Sequence, residues 1–280
     1  MNSPRTLVDG LRFPEGPRWH EDRLWFSDMH AGEVFAVDMQ GRTERIVEVA
    51  AEPSGLGWTP DGRLLVVSMQ DRRLLRLDPD GLTEVADLTP HAPYYCNDMV
   101  VDAEGRAYVG NFGFDLHGGA KPVATNLILV RPDGQVEVVA SDVRFPNGTV
   151  ITPDGRTLIV GESFGGCLTA FDIADDGRLE NRRLWAQLEG AVPDGICLDE
   201  EGAIWVASPV GEGGVLRVRE GGEVTDRVAV EHEAFACMLG GPDGRTLFIC
   251  TAPDSDPAKT GDRGGRIETV EVEVPRAGLP

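Results

Sequence analysis

Short apolar runs alternate with turn-forming residues along this chain, and the runs come back in a fixed order. Each unit holds a small apolar strand, a Pro-Asp-Gly or similar turn, a second apolar strand and then a third. The unit occurs six times. The copies open as EGPRWHEDRLWFSD from Glu15, SGLGWTPDGRLLVVS from Ser54, NDMVVDAEGRAYVG from Asn97, NGTVITPDGRTLIVG from Asn147, DGICLDEEGAIWVAS from Asp194 and ACMLGGPDGRTLFICT from Ala236. Their turn positions, Arg23, Gly62, Gly105, Gly155, Gly202 and Gly244, fall 39 to 50 residues apart.

Turns of this kind between runs rich in Val, Ile, Leu and aromatics make antiparallel hairpins. Later segments such as RRLLRLD (72–78), NLILVRPDG (126–134), CLTAFDI (167–173) and GVLRVRE (214–220) supply third strands, and a weaker strand precedes the next copy. No amphipathic stretch recurs at helical spacing, so the chain reads as all-β. Six four-stranded units at this period predict a six-bladed β-propeller, with a linear solenoid as the alternative. The last copy has CMLGG, TLFICT and GRIETVEVEV but no fourth strand, while TLVDGL (6–11) precedes the first copy. The N-terminal strand is therefore expected to complete the last blade, giving one domain over 1–280. The largest insertions, 112–125 and 252–265, read as surface loops, and the first is placed to overhang a site.

Composition narrows the partners more than the fold. A formal charge of −21 and a pI near 4.5 argue against nucleic acid. The five cysteines are odd in number, widely spaced and without a CxxC pair, so reduced thiols are expected. The N-terminus shows no basic segment followed by an apolar run, and no stretch approaches membrane-spanning length. The expected protein is cytoplasmic, monomeric or a weak homo-oligomer, with a small-molecule substrate and no membrane partner.

The residue that opens each copy stands at the mouth of what should be the innermost strand, and equivalent positions in a ring converge on its axis. These are Glu15, Ser54, Asn97, Asn147, Asp194 and Ala236. Two carboxylates facing each other would raise a pKa by repulsion, which a divalent ion held by Glu15, Asn147 and Asp194 resolves. All-oxygen ligation suits Ca²⁺, Mg²⁺ or Mn²⁺, with Zn²⁺ or Fe²⁺ compatible. Taken singly, Asn-Gly, Asp-Gly and Glu-Gly dipeptides merely make turns. Here a separate Asp/Glu-Gly already makes the hairpin.

At these residues the sequence resembles the senescence marker protein 30, gluconolactonase and luciferin-regenerating enzyme family. The segments that carry the resemblance are FPEGPRW (13–19), RFPNGTVITPDGRTLIVGESFGGCLTAFDI (144–173), NRRLWA (181–186), PDGICLDEEGAIWVA (193–207) and CMLGGPDGRTLFICTA (237–252), which span nearly the whole chain. The resemblance implies a calcium- or zinc-dependent propeller with Glu15, Asn147 and Asp194 as metal ligands and Asn97 against metal or substrate. It implies lactone hydrolysis, with the ion polarising the ester carbonyl and Asp194 serving as, or positioning, the base for water. Sugar-lactone members often carry Arg-x-Asn where this chain reads Tyr95-Cys96-Asn97. That departure points to a substrate-binding role for Tyr95 beside Asn97, to a lactone less polar than an aldonolactone, or to another reaction at the same centre: organophosphate hydrolysis, a lyase or an isomerase step. A divalent-cation-binding propeller without enzymatic activity is the reading from a different class.

The remaining residues are assigned little chemistry. Cys96 reads as a structural or pocket-lining thiol, and the other cysteines as small hydrophobes. All five histidines are expected at the surface, though His117 sits on the first long loop. Trp19, Trp25, Trp58 and Trp205 are expected in inter-blade packing, while Phe145 and Phe164 flank the Asn147 segment and are pocket candidates. No GxxxxGK[ST] loop or GxGxxG helix entry is present, and GESFG (161–165), which fits the GxSxG spacing, is followed by the apolar strand CLTAFDI and not by a helix, so no strand-to-helix elbow is read there.

Overall fold

The glycine-bearing turns join antiparallel strands as the pattern predicts. In the fourth copy, Gly155 closes the hairpin at φ +70°, a conformation that strains any side chain. The computed structural model of the chain describes residues 3–211, 213–259 and 263–280. Its strands form six four-stranded antiparallel sheets. Blades one to five take their strands in chain order, over 14–48, 53–87, 96–143, 146–187 and 196–228. Blade six consists of Glu233–Gly240, Thr246–Ala252 and Gly265–Glu271, with Arg5–Leu11 paired outside Gly265–Glu271. The N-terminal strand thus closes the ring, and the innermost strands of blades six and one are neighbours.

Aromatic side chains fasten the blades to one another. Trp19 of blade one stacks on Phe248 of blade six at 5.4 Å, and Trp25 meets Trp58 of blade two edge-on at 5.6 Å. Trp205 is fully buried in a cluster that runs from blade five into blade six. Burying each such ring contributes about 1.5–3 kcal/mol.

A feature with no counterpart in the repeat is the C-terminal strap. The Glu200 amide donates to the Pro275 carbonyl, the Arg276 amide to Gly244, and the Ala277 amide to Leu198, while Leu279 and Ile151 exchange a pair of bonds. The last residues therefore cross the hairpin ends of the inner strands of blades six, five and four. The opposite ends, where the inner strands begin, are left open.

Candidate active site

The register shows which residues share the axial position. Pro14 pairs with Asp28, Pro53 with Ser68, Cys96 with Asn111, Pro146 with Glu162 and Ala234 with Thr251. The next residues are Glu15, Ser54, Asn97, Asn147 and Phe235, and Asp194 follows Pro193 in the same way. The sixth axial residue is therefore Phe235 and not Ala236. Blade six has one more residue in each strand of its first hairpin than blade two, so counting back from the turn stops one residue late. Ala236 instead packs against Gly195 of blade five, where a β-carbon would come within 2.4 Å of it.

Glu15, Asn97, Asn147, Asp194 and Phe235 line one cavity of about 310 Å³ at the open end of the channel; Ser54 is not among its lining residues. The glycine after an axial residue allows neighbouring inner strands to approach. A β-carbon on Gly148 would lie 2.4 Å from the Ile196 nitrogen and 2.6 Å from the Asp194 carbonyl oxygen. Asn147-Gly148 is thus a close-approach device, not a turn.

Of the two carboxylates of this floor Glu15 is buried and Asp194 half-buried, and neither has an ion pair with Lys or Arg among the described residues. Burial is the largest cause that pushes Glu15 up to about 8; the Gly16 amide at 2.9 Å opposes it, Asp98 adds to it and Arg18 opposes it. Burial likewise raises Asp194 well above the ordinary carboxylate range, followed by the negative charge of Glu15, with a hydrogen bond from Asn147 opposing. The amides are oriented by their donors. Asn147 Nδ2 donates to Ser163 Oγ at 3.2 Å, and that hydroxyl in turn donates to the Pro193 carbonyl at 2.7 Å. Asn97 Nδ2 donates to the Pro146 carbonyl at 3.3 Å. Both amide oxygens are left available, so the floor offers an all-oxygen set of two anions and two neutral donors, the chemistry that holds a hard divalent cation.

One position further along the third inner strand, Asp98 stands where blades one, two, four and five have glycine. Gly55 makes the space: a β-carbon there would lie 2.9 Å from Asp98 Oδ1. Asp98 pairs with Arg18 at 2.5 Å, and Arg18 also donates to the carbonyls of Leu56 at 3.0 Å and Met99 at 2.6 Å. One guanidinium therefore joins blades one, two and three. The sequence signal was NDMVV against NGTVI and DGICL, an aspartate in a glycine column.

Two further tiers follow from the repeat. Two residues before the axial position stand Phe13, Glu52, Tyr95, Phe145 and Val192, all lining the cavity. Their tier is held by the residue after each second strand: the amides of Met29, Met69, Phe112 and Ser163 donate to the carbonyls of Phe13, Glu52, Tyr95 and Phe145. Those four donors line the cavity too. Phe145 and Glu52 adopt φ +61° and +63°, which costs about 1–3 kcal/mol for a residue with a side chain. The ring of Phe145 is thereby stacked on Phe112 at 4.5 Å.

The expectation for the histidines is corrected at one of them, His30, while His117 is exposed as expected. His30 is buried against Phe13 at 4.9 Å, with Nδ1 3.3 Å from Glu52 and Nε2 3.2 Å from the Ser255 carbonyl, and it lines the cavity. His117 lines it as well, so the 112–125 loop does overhang the site. The 252–265 loop reaches it through Ser255 and Pro257; residues 260–262 lie outside the described set. Phe145, Phe164 and Tyr95 line the cavity as expected, whereas Cys96 is buried behind it in the apolar contact between blades two and three.

Residues 13–253 match the family model described as SMP-30/Gluconolactonase/LRE-like region. The chain belongs to this family. The pentonolactonase XacC of Haloferax volcanii is 27% identical to it, over 97% of this chain and 95% of that protein. The 6-deoxy-6-sulfogluconolactonase of Pseudomonas putida is 27% identical over 95% and 93%. A calcium-binding regucalcin of Agrobacterium tumefaciens shares the fold, with a TM-score of 0.83 at 23% identity over 99% of this chain and 96% of that one.

Proposed function

We propose that this propeller is a metal-dependent lactonase acting on a lactone less polar than a sugar lactone. The observation that carries the reading is the gathering of Glu15, Asn97, Asn147 and Asp194 around one cavity, with two carboxylates, one buried and one half-buried, that have no ion pair with Lys or Arg among the described residues. Relatives of nearly the same length at 27% identity that are named lactonases support hydrolysis of a cyclic ester.

Glu15, Asn147 and Asp194 would hold the ion, for which Ca²⁺, Mg²⁺, Mn²⁺, Zn²⁺ and Fe²⁺ are all compatible with oxygen donors. When bound, such an ion supplies Lewis acidity to the ester carbonyl. Asp194 takes the proton of the attacking water, its carboxylate being aimed by the Asn147 amide. Asn97 orients the lactone, and Tyr95 closes the wall beside it. Phe13, Phe112, Phe145 and Phe235 keep bulk water from the floor.

The test is acid release from a lactone panel followed in a pH-stat, with and without chelator, for the native protein and Asp194→Asn. Turnover that needs both the ion and Asp194 is expected. Inactivity across the panel in a sample shown by elemental analysis to be metal-loaded would defeat the reading in favour of a cation-binding propeller without catalysis.

A further inference from the structure

The wall built by blades three and four has a composition that the floor does not explain. Tyr94 stacks on Tyr95 at 4.3 Å, Tyr95 meets Phe112 at 6.2 Å, and Phe112 stacks on Phe145 at 4.5 Å. From Phe145 the rings continue to Phe114 at 5.8 Å and to Phe164 at 5.2 Å. The row therefore runs unbroken from beside Asn97 to the mouth of the cavity. At that mouth Phe164 leaves 45% of its surface in water. The hydroxyls along this wall already have partners: Tyr94 bonds with Tyr95 and Asp115, and Ser163 with Asn147 and Pro193. A polyol laid here would lose hydration without gaining partners. Blades one and two contribute a mixed lining, with His30, Glu52 and Gln70 set among Phe13, Met29 and Met69. Phe145 holds its place in the row from a left-handed backbone, an outlier for a bulky residue.

We propose that the wall from Tyr95 through Phe112 and Phe145 to Phe164 is a subsite for a hydrocarbon arm carried on the lactone ring. The ester lies on the floor against Asn97 and Asp194, and the arm follows the aromatic row outward to Phe164. Phe145 and Phe164 are then specificity-determining residues. The proposal rests on the lactonase reading of the same cavity, from which it can be tested separately.

The probes are γ-lactams bearing alkyl substituents from methyl to octyl on the ring carbon next to nitrogen, which mimic lactones without being hydrolysed. Calorimetric titration of the native, metal-loaded protein is expected to show about fourfold tighter binding per added methylene until the arm passes Phe164. Phe164→Ala should lose about tenfold for the octyl lactam and nothing for the methyl one. Leu184→Ala, which removes another exposed apolar side chain on the outermost strand of blade four, should change neither. Affinity independent of arm length, or an unchanged dependence in Phe164→Ala, overturns the subsite. Lactams that bind in proportion to their arms while the matching lactones stay intact would uphold the subsite and defeat the hydrolase reading. Turnover without arm dependence would do the reverse.

Discussion

Glu15 and Asp194 at the cavity floor and Asp98 one step further along the inner strands are carboxylates withdrawn from water, Asp194 by half, yet among the described residues only Asp98 is paired with a cation. Asp98 is matched by Arg18 at 2.5 Å, and Arg18 spends its remaining donors on backbone carbonyls. The floor carboxylates receive only amide donors, Gly16 for Glu15 and Asn147 for Asp194. Adjacent layers of one channel are thus balanced in opposite ways. The inner layer is paired without a ligand and holds three blades together; the outer one has no cation of its own and holds its carboxylates against their tendency to ionise, which serves binding at the expense of stability. The contrast can be broken from either side.

The largest effect is expected at the balanced layer. Arg18→Met leaves Asp98 buried and unpaired beside two other carboxylates, and should cost about 3–5 kcal/mol of unfolding free energy in urea titrations. A loss below about 1 kcal/mol would mean that the pair is not the staple described. At the floor the expected pattern is inverted. Asp194→Ala should lower kcat/KM about a thousandfold, measured as initial acid release, while raising the melting temperature of the metal-free protein because the carboxyl group that competes with Glu15 is gone. A destabilised Asp194→Ala would place that residue with Asp98 in function. Saturating divalent ion at about a hundredfold excess over Kd should then stabilise the native protein by about 2.7 kcal/mol, and Asp194→Ala by much less, as read from thermal melts with and without chelator.

Much of this layout was legible in the sequence because a repeat converts spacing into geometry. The blades, the closing N-terminal strand and the axial position of Glu15, Asn97, Asn147 and Asp194 all followed from equivalence between copies. Phe235 was missed where the last blade adds one residue to each strand, since counting from a turn does not detect a lengthened hairpin. Asp98 and Arg18 were missed because attention went to the axial column and not to the glycine column beside it. The second tier, Phe13, Glu52, Tyr95, Phe145 and Val192, stood in plain view two residues upstream in each copy. His30 was not legible: its burial depends on Glu52 and on Ser255, residues 22 and 225 positions away, and no local pattern announces such contacts. The C-terminal strap has no repeat partner and so left no signal.

Per pH unit, the smallest effect is the dependence of stability on pH, to which both layers contribute in the same direction, because burial also raises Asp98 in spite of Arg18. Glu15 has a pKa of about 8 in the native protein against an ordinary value of 4.5, so the folded chain keeps a proton that the unfolded chain gives up. Below pH 4.5 both states hold it, and its contribution to stability is fully present. Between 4.5 and about 8 the unfolded chain ionises first and stability drains away, at up to about 1.4 kcal/mol per pH unit for one group. Above about 8 both states are ionised and the slope ends. Asp194 is shifted in the same direction and adds to the fall. Chelated protein unfolded in urea at a series of pH values should therefore weaken steadily across this window, and Glu15→Gln should weaken less. Divalent ion should flatten or reverse the slope, because it favours the ionised carboxylates. If the chelated native protein and Glu15→Gln gave superimposable profiles, the floor would have to be balanced by some other cation, and its contrast with the Arg18–Asp98 layer would disappear.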